Sequence, residues 1–207
     1  MKIICIGRNY AAHAKEMNSD VPDQPMVFMK PATALLINGK DFYYPGFSKE
    51  VHHEVELVIK IGKNGRHVQP EFAAEYIAGI GVGIDFTARD IQANCKKKGH
   101  PWELAKAFDH SAPIGAFVSL SDLPALNEID FRLTKNGETV QKGNTRDLIF
   151  PFTELIVFVS QYFRLQMGDY IYTGTPEGVG PVQVGDVLEG FITTKAGERS
   201  VLNCKVK

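Results

Sequence analysis

Residues 51–61 constrain the fold most, because they alternate with the period of a β-strand. Val51, His53, Val55, Leu57, Ile59 and Ile61 take the odd positions, while His52, Glu54, Glu56 and Lys60 fall on the even ones. Glu54 and Glu56 therefore project from one face. Strands disfavour Glu, and adjacent carboxylates repel, so a cation has to offset them. A hard divalent ion on oxygen ligands, Mg²⁺ or Mn²⁺, is one solution. A solvated edge strand with Lys60 as partner is the other.

The rest of the chain also favours β-structure. Asn38-Gly39, Asn64-Gly65 and Asn136-Gly137 each stand beside strand-like runs, and Asn-Gly is the residue pair of tight hairpin turns. Three hairpins are expected, in a mainly β fold with a few helices. Residues 77–85 read as a strand whose Gly79, Gly81 and Gly83 share a face, which implies close packing on the backbone. This GxGxG lies inside the apolar run, so it is not a phosphate loop. Gly7, after the short buried strand at residues 2–7, is likewise a lone glycine and not a dinucleotide-binding GxGxxG. Helices are expected at residues 11–17 and 71–76, and from Thr87, where Asp90 has capping-box spacing. Another is expected at residues 151–163, with Phe152, Leu155, Ile156, Val159 and Phe163 on its apolar face. Residues 18–26 are rich in turn formers and read as a loop.

Composition bounds the rest. With 207 residues, 44% of them apolar, the chain can bury a core as a single domain spanning 1–207. A formal net charge of −1 implies no polyanion-binding surface, hence no nucleic-acid partner. Cys5, Cys95 and Cys204 form no CxxC, which fits a reducing compartment without disulfides or thiolate metal sites. The first apolar run stops at Gly7-Arg8, far short of a signal peptide, and no apolar segment approaches membrane-spanning length. The expectation is a soluble cytoplasmic protein.

Several residues could carry chemistry. His13 and Glu16 are three apart, on one helical face; the pair suits an oriented general base and equally a surface ion pair. Asp85 ends a strand, and Arg89 and Gln92 share a face of the next helix. Lys96-Lys97-Lys98-Gly99-His100-Pro101-Trp102 reads as a solvated surface or as a lid over an anion. Lys106 stands among apolar neighbours, as a partly buried, useful amine does. The loop at residues 173–181 lacks the Gly-Lys-Ser/Thr of a P-loop; it is a plain surface loop or a carboxylate-binding one.

Taken together, these stretches resemble the fumarylacetoacetate hydrolase family, in particular its short acylpyruvase branch. The resemblance runs through Gly7-Arg8-Asn9-Tyr10 with His13 and Glu16, His53-Glu54-Val55-Glu56-Leu57, Gly83-Ile84-Asp85-Phe86-Thr87-Ala88-Arg89-Asp90, the lysine run, Leu104-Ala105-Lys106, Gly143-Asn144-Thr145 and Thr173-Gly174-Thr175-Pro176-Glu177-Gly178-Val179-Gly180. It implies a mixed β-sandwich roll and a homodimer. It also implies Mg²⁺ or Mn²⁺ on Glu54, Glu56 and Asp85, with His13, Glu16 and Lys106 as catalytic groups. Arg8, Tyr10, Arg89, Gln92 and Thr175 match positions near the substrate. The implied activity is hydrolysis of a carbon–carbon bond in small acylpyruvate-type 2,4-dioxo acids, giving pyruvate and a carboxylic acid. Decarboxylation of oxaloacetate and isomerisation or tautomerisation of a dienoic 2-oxo diacid use the same groups. A non-catalytic 2-oxo acid binder stands further off, since His13, Glu16 and Lys106 are all present, and so does a purely structural β-domain, in which Glu54 and Glu56 would lack a common partner.

Overall fold

The computed structural model describes residues 1–16 and 20–207. Met17, Asn18 and Ser19, parts of the expected helix and loop, lie outside the described residues. In chain order the strands are β1 (Ile3–Gly7), β2 (Met26–Lys30), β3 (Leu35–Ile37), β4 (Val51–His53), β5 (Val55–Ile61), β6 (Ile77–Ile84) and β7 (Thr87–Ala88). They continue as β8 (Ala112–Ile114), β9 (Asp130–Lys135), β10 (Glu138–Asn144), β11 (Tyr170–Tyr172), β12 (Gly180–Pro181), β13 (Val187–Thr194) and β14 (Gly197–Lys205). The α-helices are α1 (Ala11–Glu16), α2 (Arg89–Lys98), α3 (Glu103–Lys106) and α4 (Phe152–Tyr162).

The fold is mainly β, and its sheets are mixed. A seven-stranded sheet runs β2-β1-β11-β5-β6-β8-β3, with β1 parallel to β11 and β3 parallel to β8. A four-stranded sheet, β10-β9-β13-β14, and a three-stranded one, β12-β4-β7, complete it. The segment at 51–61 is no edge strand: β5 lies between β11 and β6. Val55, Leu57, Ile59 and Ile61 enter the larger apolar cluster, while Val58, on the opposite face, packs with Ile3, Cys5 and Tyr172. Both faces are covered, so Glu54 and Glu56 are buried too. Lys60 does not partner them; its ammonium stacks over the Phe117 ring.

One of the three expected hairpins forms. Asn136 and Gly137 both have positive φ (55° and 86°) and join β9 to β10 as a two-residue turn of the primed type. Asn38-Gly39 instead hooks onto β14, with Asn38 Oδ1 accepting from the Asn203 N–H, because β3 pairs with distant β8. After Asn64-Gly65 the chain bridges to Leu165 and passes through a 3₁₀ turn, Pro70–Tyr76, before returning as β6. Asn-Gly permits a sharp reversal, but tertiary pairing decides where the chain runs after it. The capping box also fails: Thr87 Oγ1 donates to the Asp85 carbonyl, and Asp90 accepts from Ser48 and the Lys49 N–H. Helix α2 still begins at Arg89 and closes on Gly99 in the left-handed conformation (φ 67°). The apolar face expected at 151–163 packs into the core through α4.

The glycine stripe on β6 accommodates ring atoms. A Cβ on Gly83 would stand 2.7 Å from the Tyr172 ring and 2.8 Å from Val58 Cγ2. Neither neighbour can yield, since both are fully buried and the Tyr172 hydroxyl donates to the Pro113 carbonyl at 2.9 Å. Gly83→Ala is therefore expected to cost about 2 kcal/mol by overpacking. Gly46→Ala, where nothing lies within 4 Å, should change stability by less than about 0.5 kcal/mol. Urea midpoints of the two variants check this; equal midpoints would contradict the packing argument.

Candidate active site

The site forms where β4 breaks into β5. Glu54 sits between the two strands, so its N–H neighbours need other partners, and the Gln141 side chain supplies them. Gln141 Oε1 accepts from the Val55 N–H (3.0 Å) and faces His53 Nδ1 (2.9 Å), while Nε2 donates to Thr175 Oγ1 (2.9 Å) and the Pro176 carbonyl (3.0 Å). Burial and strand alternation then aim Glu54 and Glu56 at Asp85, which leaves the end of β6.

The three carboxylates each offer an oxygen within 4.8 Å of the others, and all are buried. Cations ring them. Lys106, on α3, donates to Glu54 Oε2 (2.8 Å) and Asp85 Oδ2 (2.6 Å). Arg89 pairs with Glu54 Oε1 and donates to Gln92 Oε1 (2.8 Å). Burial opposes ionisation of Glu54, but Lys106, Arg89 and His13 outweigh it and hold the carboxyl well below the usual range. Among the described residues no cation pairs directly with Glu56. Burial, then Asp85 and Glu54, push it well upward against the Gly174 N–H that donates to Oε2 at 2.7 Å. Burial also opposes charge on Lys106, yet Asp85 and Glu54 prevail and raise it above the ordinary lysine value.

A hard divalent ion fits these donors. The set is all oxygen, it is crowded enough to drive Glu56 toward protonation, and it already draws two buried ammonium groups, Lys30 and Lys106, onto Asp85. The carboxylate-binding reading of the 173–181 loop holds in an unexpected form: the carboxylate that its backbone binds is the chain's own Glu56.

Beside the triad lies a cavity of about 40 Å³ lined by Arg8, His13, Arg89, Gln92, Thr175 and Lys106. His13, buried on α1, places Nδ1 3.1 Å from Glu16 Oε2, and Glu16 Oε1 accepts from the Gly178 N–H at 3.1 Å. Arg8 reaches the cavity from a left-handed backbone (φ 56°) that few non-glycine residues adopt. Of the residues expected near substrate, Tyr10 is not brought to this cavity. Its ring packs on Phe131, and it lines a separate cleft beside Lys142, Asp147 and Glu177. Lys96, Lys97 and Lys98 are all exposed, but of the three only Lys96 lines the main cavity, where its ammonium stacks over Trp102. The lysine run thus divides between its two readings.

Sequence pattern does not single out Lys30, Asn9 or Gln141. Lys30 has a fully buried side chain whose ammonium lies 2.8 Å from Asp85 Oδ1, hydrogen-bonds Ser111 Oγ (2.9 Å) and contacts the Lys106 carbonyl. Asn9 donates to the Phe150 and Thr173 carbonyls (3.0 and 2.9 Å) and so clamps the Arg8 turn to the loop after β11. The one usable signal is Lys30 in the apolar run Val27-Phe28-Met29, a poor place for a solvated amine.

A family model described as the fumarylacetoacetate (FAA) hydrolase C-terminal domain matches residues 2–201. The chain belongs to the fumarylacetoacetate hydrolase family. Within it, the chain is 43% identical over 205 residues to bovine oxaloacetate tautomerase FAHD1, mitochondrial, covering 99% of this chain and 90% of that one. Against oxaloacetate tautomerase YcgM of Escherichia coli K12 the identity is 45% over 188 residues, covering 90% and 86%. Fumarylpyruvate hydrolase from Pseudomonas aeruginosa, solved with Mn²⁺ and pyruvate, superposes with a TM-score of 0.89 at 38% identity, covering 100% and 90%. Two chemistries thus occur among close relatives of one family architecture. No helix among the described residues is long and apolar enough to cross a membrane.

Proposed function

We propose that this chain is a divalent-metal-dependent enzyme that enolises small 2-oxo acids carrying a second carbonyl group, with keto–enol interconversion of oxaloacetate as the leading reaction. The observation that carries the reading is the buried Glu54/Glu56/Asp85 triad meeting Lys106 beside a cationic cavity. The names of the relatives support it. Mg²⁺ or Mn²⁺ on Glu54, Glu56 and Asp85 would supply Lewis-acid polarisation of the 2-oxo carbonyl.

The remaining steps fall to side chains. Arg8, Arg89 and Lys96 line the cavity and attract a dianion. His13 Nδ1 faces Glu16, so an ionised Glu16 keeps the proton on Nδ1 and leaves Nε2 free to take one. Nε2 removes a proton from the carbon between the two carbonyls and returns it to oxygen. The Lys106 ammonium, held cationic by its carboxylates, stabilises the negative charge that develops on oxygen.

The His13–Glu16 pair specifically favours a second activity, hydrolysis of acylpyruvates. There Nε2 would take its proton from water, and the hydroxide would attack the acyl carbonyl. Products from acetylpyruvate and oxaloacetate, followed by NMR with Mg²⁺ and with chelator, test both readings. Chelator-sensitive enol–keto exchange of oxaloacetate supports the first, and acetate plus pyruvate from acetylpyruvate supports the second. His13→Ala should lower acetylpyruvate cleavage about 10²- to 10⁴-fold. Decarboxylation of oxaloacetate should be spared, because it needs neither proton removal nor water. Equal losses in both would place His13 in substrate positioning instead.

A further inference from the structure

The catalytic cavity does not end at Lys106. Met26, Phe28, Trp102 and Lys106 line it and also line a neighbouring cavity of about 280 Å³. The Phe28 and Trp102 rings meet edge to face between the two, with centroids 6.3 Å apart. The Lys106 ammonium lies 5.3 Å from the Phe28 ring centroid. A substrate whose reacting carbonyl is beside Lys106 therefore has its remaining chain directed past these rings.

The two compartments differ in chemistry. The inner one carries Arg8, Arg89 and Lys96 together with the triad. The outer one is walled by β2 and by Pro101 and Trp102, and among the described residues Lys106 is its one Lys or Arg. That ammonium is already engaged by Glu54 and Asp85. Glu103 stands on the rim with its side chain exposed. A tail carboxylate there would lose water, find no lysine or arginine that is not already engaged, meet only the exposed His100 as a polar donor and face Glu103, whereas an apolar tail would gain from burial.

We infer that this outer chamber selects 2,4-dioxo acids with an uncharged acyl tail longer than acetyl, and that Glu103 turns away tails ending in a carboxylate. Such selection rests on the chemistry proposed for the inner cavity. In the reaction, water adds to the acyl carbonyl and the bond from that carbon to the methylene carbon breaks. The electron pair stays on the methylene carbon, which is protonated to give pyruvate, while the water oxygen leaves in the carboxylate and one proton is released.

The test is kcat/KM of the Mn²⁺-loaded protein for acetylpyruvate, hexanoylpyruvate and fumarylpyruvate, with oxaloacetate enol–keto exchange measured alongside. Hexanoylpyruvate should exceed acetylpyruvate by about tenfold or more, and fumarylpyruvate should fall about tenfold or more below hexanoylpyruvate. Glu103→Arg should narrow or reverse the second ratio. Metal-dependent turnover with a flat chain-length profile, or fumarylpyruvate preferred by the unaltered protein, overturns the chamber assignment and leaves the inner site standing. No metal-dependent conversion of any of the four compounds overturns both.

Discussion

Glu56→Gln is expected to abolish metal-dependent turnover, with a loss of at least ~10³-fold in kcat/KM, while the protein folds normally. A glutamine carbonyl can still accept the Gly174 N–H that Glu56 Oε2 accepts at 2.7 Å, so the local hydrogen bonding survives. What disappears is one of the three anionic oxygens of the triad. Several kcal/mol of transition-state charge stabilisation go with the metal, and each ~1.4 kcal/mol is a factor of ten in rate. Stability should move the other way. Burial, Asp85 and Glu54 all disfavour a charged Glu56, so the amide relieves repulsion and raises the chelator-treated Tm. Stabilisation by Mg²⁺ should vanish in the same variant. Calorimetric Mn²⁺ titration and thermal melts with and without chelator measure both effects. Normal Mg²⁺-dependent turnover in Glu56→Gln would sink the site assignment.

Lys30→Met should have the largest effect on folding. Its ammonium is fully buried, touches Asp85 Oδ1 at 2.8 Å and bonds Ser111 Oγ and the Lys106 carbonyl. Removing one partner of a buried ion pair leaves the other uncompensated, at a cost of about 3 kcal/mol. Asp85 keeps Lys106 as a partner at 2.6 Å, so the variant should fold, with a lowered urea midpoint in chelator. The triad then carries an excess of negative charge, and a divalent ion binds more tightly. Mg²⁺ should therefore raise the Tm of Lys30→Met by more than it raises that of the unaltered protein. An unchanged midpoint in chelator would show that the buried pair contributes nothing to stability.

Much of this was legible in the sequence because it depends on local pattern. Alternation placed Glu54 and Glu56 on one face, spacing put His13 beside Glu16, and the glycine stripe of β6 announced close packing on the backbone, which rings supply at Gly81 and Gly83. The illegible parts depend on partners distant in sequence. Asn38-Gly39 and Asn64-Gly65 have the residues of a hairpin turn, but β3 pairs with β8, and the chain takes a 3₁₀ turn before β6 pairs with β5. Nothing local in Lys30 marks Asp85 as its neighbour, and nothing in Trp102 foretells Phe28 across the chamber. Tyr10 shares a run with Arg8 yet faces another cleft, since consecutive residues at a turn diverge.

Gln141 makes the catalytic centre sensitive to chain length at a remote surface reversal. The β9–β10 ladder shifts register between Thr139 and Gln141, and that extra residue sets the phase in which Gln141 faces inward toward His53 and Val55. A length change at Asn136-Gly137 that slips β10 by one residue against β9 inverts that phase and turns the amide toward solvent. The main chain beside Glu54 then loses its bridge to Thr175, although no ligand or catalytic group has been altered. The register of this surface hairpin is thus constrained by chemistry on the far side of the sheet.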